Sequence, residues 1–159
     1  MQVEPTQEHK WLSRFVGEWS YEIEAVMKPG EPPEKFTGTE SVKRLGEIWI
    51  VAEGEGEMPG GATGATMYTL GFDPKLNKFV GVWVGSMMAY LWDYRGELNS
   101  AGDTLTMESE GPAFDGTDKI TQYKDVHYFV SENERTLTGN ILLEDGSWMP
   151  MMTCRYKRK

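Results

Sequence analysis

Cysteine is almost absent from this chain: Cys154 stands alone among 159 residues. One thiol forms no internal disulfide, so core packing must hold the fold, and a reducing compartment is the natural expectation. Basic residues are also scarce. Sixteen Lys and Arg face 25 Asp and Glu, giving a net charge of −9. Phosphate binding needs a basic stripe, so nucleic acid is not an expected partner, and neither is an anionic membrane surface. The basic end Arg155–Lys159 is too short to reverse this and reads as a solvated strand end. Histidine is limited to His9 and His127, and neither has a second His or Cys nearby at ligand spacing. No metal site is therefore expected. Long apolar runs are missing, and the first ten residues are polar. No secretion signal or membrane-inserting segment is read there, so the expected location is cytoplasmic. No G-x-S-x-G nucleophile motif occurs, and Gly60-Gly61-Ala62-Thr63-Gly64 lacks the Lys of a phosphate-binding loop.

What remains is apolar, aromatic and alternating. About two-fifths of the residues are apolar and six are Trp, enough for one packed domain over 1–159. Trp11, Leu12, Phe15 and Val16 fall at helical spacing behind Thr6, a candidate N-cap, and Gly17 is placed to stop the helix. One short helix is expected over about 6–16, with His9 exposed on it. The period then changes to two. Trp19, Tyr21, Ile23, Ala25 and Met27 alternate with polar residues. About ten such segments follow over 18–158, separated by turn signals such as Asp73-Pro74, Asn99–Gly102 and Asp145-Gly146. No second helical stretch exists to cross between parallel strands. The expected fold is all-β: a closed antiparallel up-and-down barrel of about ten strands with one N-terminal helix.

Gly17-Glu18-Trp19, opening the first strand behind a short helix, resembles the calycin signature of lipocalins and fatty-acid-binding proteins. The resemblance implies that Trp19 closes the barrel base against an Arg of the last strand. Arg158 is the best match and Arg155 the alternative. A fuller pattern includes Leu70-Gly71-Phe72-Asp73-Pro74, Lys78–Trp83, Ser86-Met87, Gly96-Glu97-Leu98 and Tyr156–Lys159. Over about 9–159 it is similar to a bacterial family of small, uncharacterised calycin-like proteins. Gly85 stands where that family carries an Asp before Ser86-Met87.

A barrel of this size can enclose a ligand. Glu40 and Arg44 share a strand face with Val42, and an inward pair would anchor a polar head group. Trp49, Val51 and Glu53 share another face. Glu53, Glu55 and Glu57 read either as a hard-cation site or as a solvated rim. Tyr21, Trp49, Trp83, Met87, Trp92, Tyr94 and His127, with Glu40, Arg44 and Glu53, are the candidate ligand-binding residues. Trp148, Met152, Cys154, Tyr156 and Arg158 read as one face of the last strand. His127 shares its strand face with Asp125, its nearest candidate partner. It reads as a half-exposed residue, a base, or a haem ligand of the kind found in nitrobindin-like barrels. The expected function is non-enzymatic binding of a small apolar or amphipathic molecule, with no cofactor. The alternatives are an enzyme drawing an acid–base pair from Glu40, Glu53, Asp93 and His127, haem binding, and a homodimer formed through Met87 and Met88.

Overall fold

Alternation of side chains decides nearly the whole architecture. The computed structural model describes residues 3–28 and 30–159. Helix α1 (Gln7–Trp11) tightens into a 3-10 turn over Leu12–Phe15. Ten strands follow: β1 (Gly17–Ala25), β2 (Glu34–Leu45), β3 (Trp49–Glu57), β4 (Thr63–Asp73), β5 (Lys78–Gly85), β6 (Met88–Leu98), β7 (Thr104–Pro112), β8 (Ile120–Phe129), β9 (Glu134–Leu142) and β10 (Trp148–Arg158). Each pairs antiparallel with the next, and β10 returns to β1, closing the barrel. The closing register sets Trp19 opposite Arg158 and Tyr21 opposite Tyr156. Closure leaves no strand free of partners, although β6 and β7 pair only between Arg95–Leu98 and Leu105–Glu108.

The helical segment plugs one end. Leu12 and Phe15 are buried on its inner side, and Trp11 packs edge-on against Phe15, Phe79 and Phe129. Three polar ties fix it. Thr6 N–H donates to His9 Nδ1 at 2.9 Å, His9 Nε2 meets the Phe72 carbonyl at 2.9 Å, and Trp11 Nε1 donates to the Gly102 carbonyl at 2.7 Å. His9 is thus 2% exposed, against the expectation of an exposed residue. With Nδ1 accepting, Nε2 carries the proton and donates to Phe72, so burial leaves no ring nitrogen unpaired.

Trp19 is fully buried at this end and donates from Nε1 to the Phe15 carbonyl at 2.8 Å. The Arg158 guanidinium lies 4.2 Å from its ring centroid. It donates to the carbonyls of Val16 at 2.6 Å, Arg14 at 3.0 Å and Glu132 at 3.0 Å. Gly17 has φ 136°, and a Cβ there would collide with that guanidinium, so glycine is required twice over.

Inner and outer faces do not sort simply by size. On β3 the inward residues are Ile50, Ala52 and Gly54, whereas Trp49 and Glu53 face outward. Trp49 lies over Gly71, where a side chain would collide with its ring. On β2, inward Gly38 is the seat of the Tyr21 ring. A register shift between Pro150 and Met152 turns the start of β10 over. Trp148 therefore lies outside under Lys124, 4.4 Å from its centroid, and does not share the face of Met152 and Tyr156.

Candidate functional site

Above the helical plug the barrel encloses a cavity of about 340 Å³. Phe15 forms its floor, and aromatic walls rise from β4, β5, β6, β8 and β10 as Tyr68, Trp83, Trp92, Tyr94, Tyr123 and Tyr156. Phe114, exposed in the β7–β8 loop, packs against Trp92 and Tyr123 at the far end, where the cavity meets solvent. Besides its tyrosines, the lining carries four acidic or basic side chains: Glu40, Asp125, His127 and Arg135.

Glu40 of β2 forms a salt bridge with Arg135 of β9, and Arg135 is 3% exposed. The guanidinium stacks on aromatic faces, 3.7 Å from the Tyr156 centroid, 4.6 Å from Trp19 and 5.2 Å from Phe15. Such faces offset part of the desolvation of a buried cation. Tyr94 donates its hydroxyl proton to Asp125 Oδ2 at 2.8 Å. Burial raises the Asp125 carboxyl to about 6, against the opposing effect of that hydrogen bond.

His127 lies on the cavity wall, 5.7 Å from Phe15 and 5.9 Å from Tyr68 between ring centroids. Burial and the nearby Arg135 push its pKa down to about 3, so the ring is neutral at physiological pH. Among the described residues, neither of its nitrogens has a hydrogen-bond partner. The Tyr68 hydroxyl and Arg135 Nε are orphaned in the same way. Each such group costs about 1–3 kcal/mol in a folded core, and His127, Tyr68 and Arg135 all line this one cavity.

Of the ten residues expected in the binding site, Tyr21, Glu40, Trp83, Trp92, Tyr94 and His127 line the cavity. Four do not. Arg44 has the inward parity of Glu40 but lies four residues further along, about 13 Å, beyond the plug, where it donates to the Glu47 carbonyl and the Ser13 hydroxyl. Trp49 and Glu53 face outward because β3 turns its small residues inward. Met87 sits in the two-residue turn between β5 and β6, exposed at the rim, and Met88 lines the cavity in its place. The partner of Glu40 is Arg135, a residue not among the candidates. Its signal was present: Arg135 heads the alternating series Leu137, Gly139 and Ile141. Asp125 pairs with Tyr94 and not with His127.

The residues weighed as a catalytic set do not converge. Glu53 and Asp93 are exposed on the outer face, the latter 3.9 Å from Arg95, while Glu40 and His127 lie inside. Glu53 shares an outer groove with Glu18, Glu55 and Ser86. Among the described residues, no group of three or more His, Cys, Asp or Glu is arranged to hold a metal ion. No helix among them is long and apolar enough to cross a membrane.

A ten-stranded barrel with an aromatic internal cavity defines a class of protein, and the sequence assigns the family. The chain belongs to the family described as a protein of unknown function, DUF1579, whose model matches residues 4–158. A search of curated proteins finds no match in sequence. Among solved structures it is similar to Rv2717c from M. tuberculosis, at 10% identity and a TM-score of 0.67, covering 98% of this chain and 99% of that one. It is also similar to the S-type phycobiliprotein lyase CPES from Guillardia theta, at 13% identity and a TM-score of 0.60, with 98% of each chain covered. A third neighbour, EF1p2_mFAP2b bound to DFHBI, matches at 9% identity and a TM-score of 0.51, covering 96% of this chain and all of that one. At these identities the likeness shows the fold.

Proposed function

We propose that this protein binds one small, largely apolar molecule inside the barrel and catalyses no reaction on it. The observation that carries the reading is the aromatic-walled cavity of about 340 Å³ with unpaired buried polar groups, His127 and Tyr68, in its wall. The volume falls at the lower end of the range for small-molecule pockets. A neutral imidazole offers one donor and one acceptor, so it suits a hydroxyl or amide on an otherwise apolar ligand. A barrel neighbour described as bound to DFHBI supports reading this fold as one that can hold a small molecule. No cofactor is proposed. Haem ligation would use the neutral His127, but a cavity of about 340 Å³ lies at the lower end of the range for small-molecule pockets and does not favour so large a group. A cytoplasmic location fits the lone, buried thiol of Cys154, which burial pushes up to about 12 and so keeps unreactive.

Calorimetric titration with 2-naphthylmethanol tests this. Saturable binding at one site is expected. It should weaken by roughly tenfold or more in Ala52→Leu and Gly139→Val, which add bulk at two places on the cavity wall. Folded protein that shows no saturable binding, or binding indifferent to both substitutions, overturns the reading.

A further inference from the structure

The cavity has an unbalanced charge, and its sign points to a ligand class. Three charged side chains line the wall: Glu40, Asp125 and Arg135. Glu40 and Arg135 neutralise each other in a salt bridge. The guanidinium is further flanked by the rings of Phe15, Trp19 and Tyr156, so its unpaired Nε remains as a donor with its charge already balanced. Asp125 has no such counter-ion. Among the described residues it forms no salt bridge, and its hydrogen bond comes from the neutral Tyr94 hydroxyl onto Oδ2. A carboxylate offers about four acceptor positions, so most of its capacity is unused. The nearest basic residue along the strand, Lys124, faces outward to Glu108 and Trp148. His127, two residues on, is neutral.

Around Asp125 the wall is aromatic. Tyr94 and Tyr68 pack with centroids 5.5 Å apart, and Tyr123 lies on the same strand face and packs 4.9 Å from Trp92. Ring faces attract a cation and give an anion nothing. A carboxylate set among aromatic rings in a poorly solvated cavity is the arrangement that recognises an ammonium group, through a charge-assisted hydrogen bond and ring contacts together.

Building on the cavity-binding reading above, we propose that the ligand carries one protonated amine on an aromatic or apolar body, its ammonium seated against Asp125 among Tyr68, Tyr94 and Tyr123. Carboxylate ligands such as fatty acids are then disfavoured, because they would meet Asp125 while the charge of Arg135 is already balanced by Glu40. A neutral ligand of the same shape fits but leaves Asp125 without a counter-ion.

The groups facing Asp125 are Tyr123 and His127 on β8, Met107 and Ser109 on β7, Gly139 on β9, Tyr94 on β6 and Tyr68 on β4, with the Glu40–Arg135 pair further down the cavity. Burial raises all three tyrosines, and His127 is already neutral. Between pH 7.5 and 5 those tyrosines and His127 stay neutral, while Asp125, raised by burial to about 6, changes charge.

The experiment compares three isosteres by calorimetry at pH 7.5: 2-naphthylmethylamine, 2-naphthylmethanol and 2-naphthoate. The amine should bind roughly tenfold or more tighter than the alcohol, and the carboxylate weakest of the three. Asp125→Asn should abolish the amine's advantage, bringing the ratio of amine to alcohol affinity measured in the same variant to about one. If that variant does not fold, the native protein still decides. The amine stays protonated at pH 5, so its advantage over the alcohol should collapse there as Asp125 takes up a proton. An alcohol that binds as tightly as the amine, a carboxylate that binds tightest, or an amine advantage unchanged at pH 5 overturns the amine assignment and leaves the cavity reading standing. Failure of all three to bind folded protein removes both.

Discussion

Arg135 shows how much one buried side chain asks of its neighbours. Its guanidinium has one carboxylate partner, Glu40, and three aromatic faces, with Nε left unpaired. Removing one partner of a buried pair strands the other charge, which costs roughly 3–5 kcal/mol. Glu40→Gln should therefore lower the urea midpoint steeply with an unchanged m-value, and Glu40→Leu with Arg135→Met should recover most of the loss. A double variant no more stable than the single one would contradict this. Asp125 and His127 make a second residue-scale case, because their shifts oppose each other in pH. Asp125 keeps its proton up to about pH 6 in the folded chain and to about 4 when unfolded. Its contribution to stability is full below pH 4 and lost as the pH rises through 6. His127 is depressed to about 3, so its contribution is full above about pH 6.5 and lost as the pH falls toward 3. Between pH 4 and 6 the two offset. Single substitutions expose each part, at up to about 1.4 kcal/mol per pH unit. From pH 6 to 4, Asp125→Asn should lose stability relative to the native protein and His127→Gln should gain. Denaturation curves that stay parallel across that range would show that neither shift exists.

Within the strands, pairing and packing follow different cues. The number of strands, their order and most of their turns are legible from period-two alternation and from turn residues such as Asp145-Gly146. The inward face is not always legible, because a barrel that leaves room for large rings must put small residues beneath them. On β3 this inverts the usual sorting: Gly54 and Ala52 face in, while Trp49 covers Gly71 from outside. On β10 the irregularity between Pro150 and Met152 reverses the parity of Trp148, and no local residue pattern announces it. Gly38 shows the energetic side of the same rule. A methyl group there would overlap the Tyr21 ring and approach the Glu55 carbonyl at 2.6 Å. Gly38→Ala should cost about 1–3 kcal/mol through displaced packing, read as a lower denaturation midpoint. An unchanged midpoint would show that Tyr21 is free to leave its seat.

At the scale of the whole molecule, the polar part of the site was the least legible. His127, Tyr94, Trp83, Trp92 and Tyr21 follow from strand faces, but Arg135 and Asp125 acquire their roles only when β2, β6, β8 and β9 are brought around one axis. Glu40 comes from β2 and its partner from β9, 95 residues away in sequence. Strand periodicity tells which residues share a face and says nothing of what stands across a cavity. The helical plug divides the interior: apolar packing of Leu12, Phe15 and Phe129 below, and above it a lined space that the aromatic rings border without filling. That space is the feature on which the proposed function depends, and a crystal structure of the protein soaked with 2-naphthylmethanol measures it directly. The expected result is a naphthalene ring inside the barrel, bounded by Tyr68, Trp83 and Trp92, with its hydroxyl toward His127. An interior closed by Met88, Trp92 and Met152 side chains, with the probe absent or only on the outer surface, would show that the barrel is a packed scaffold and not a container.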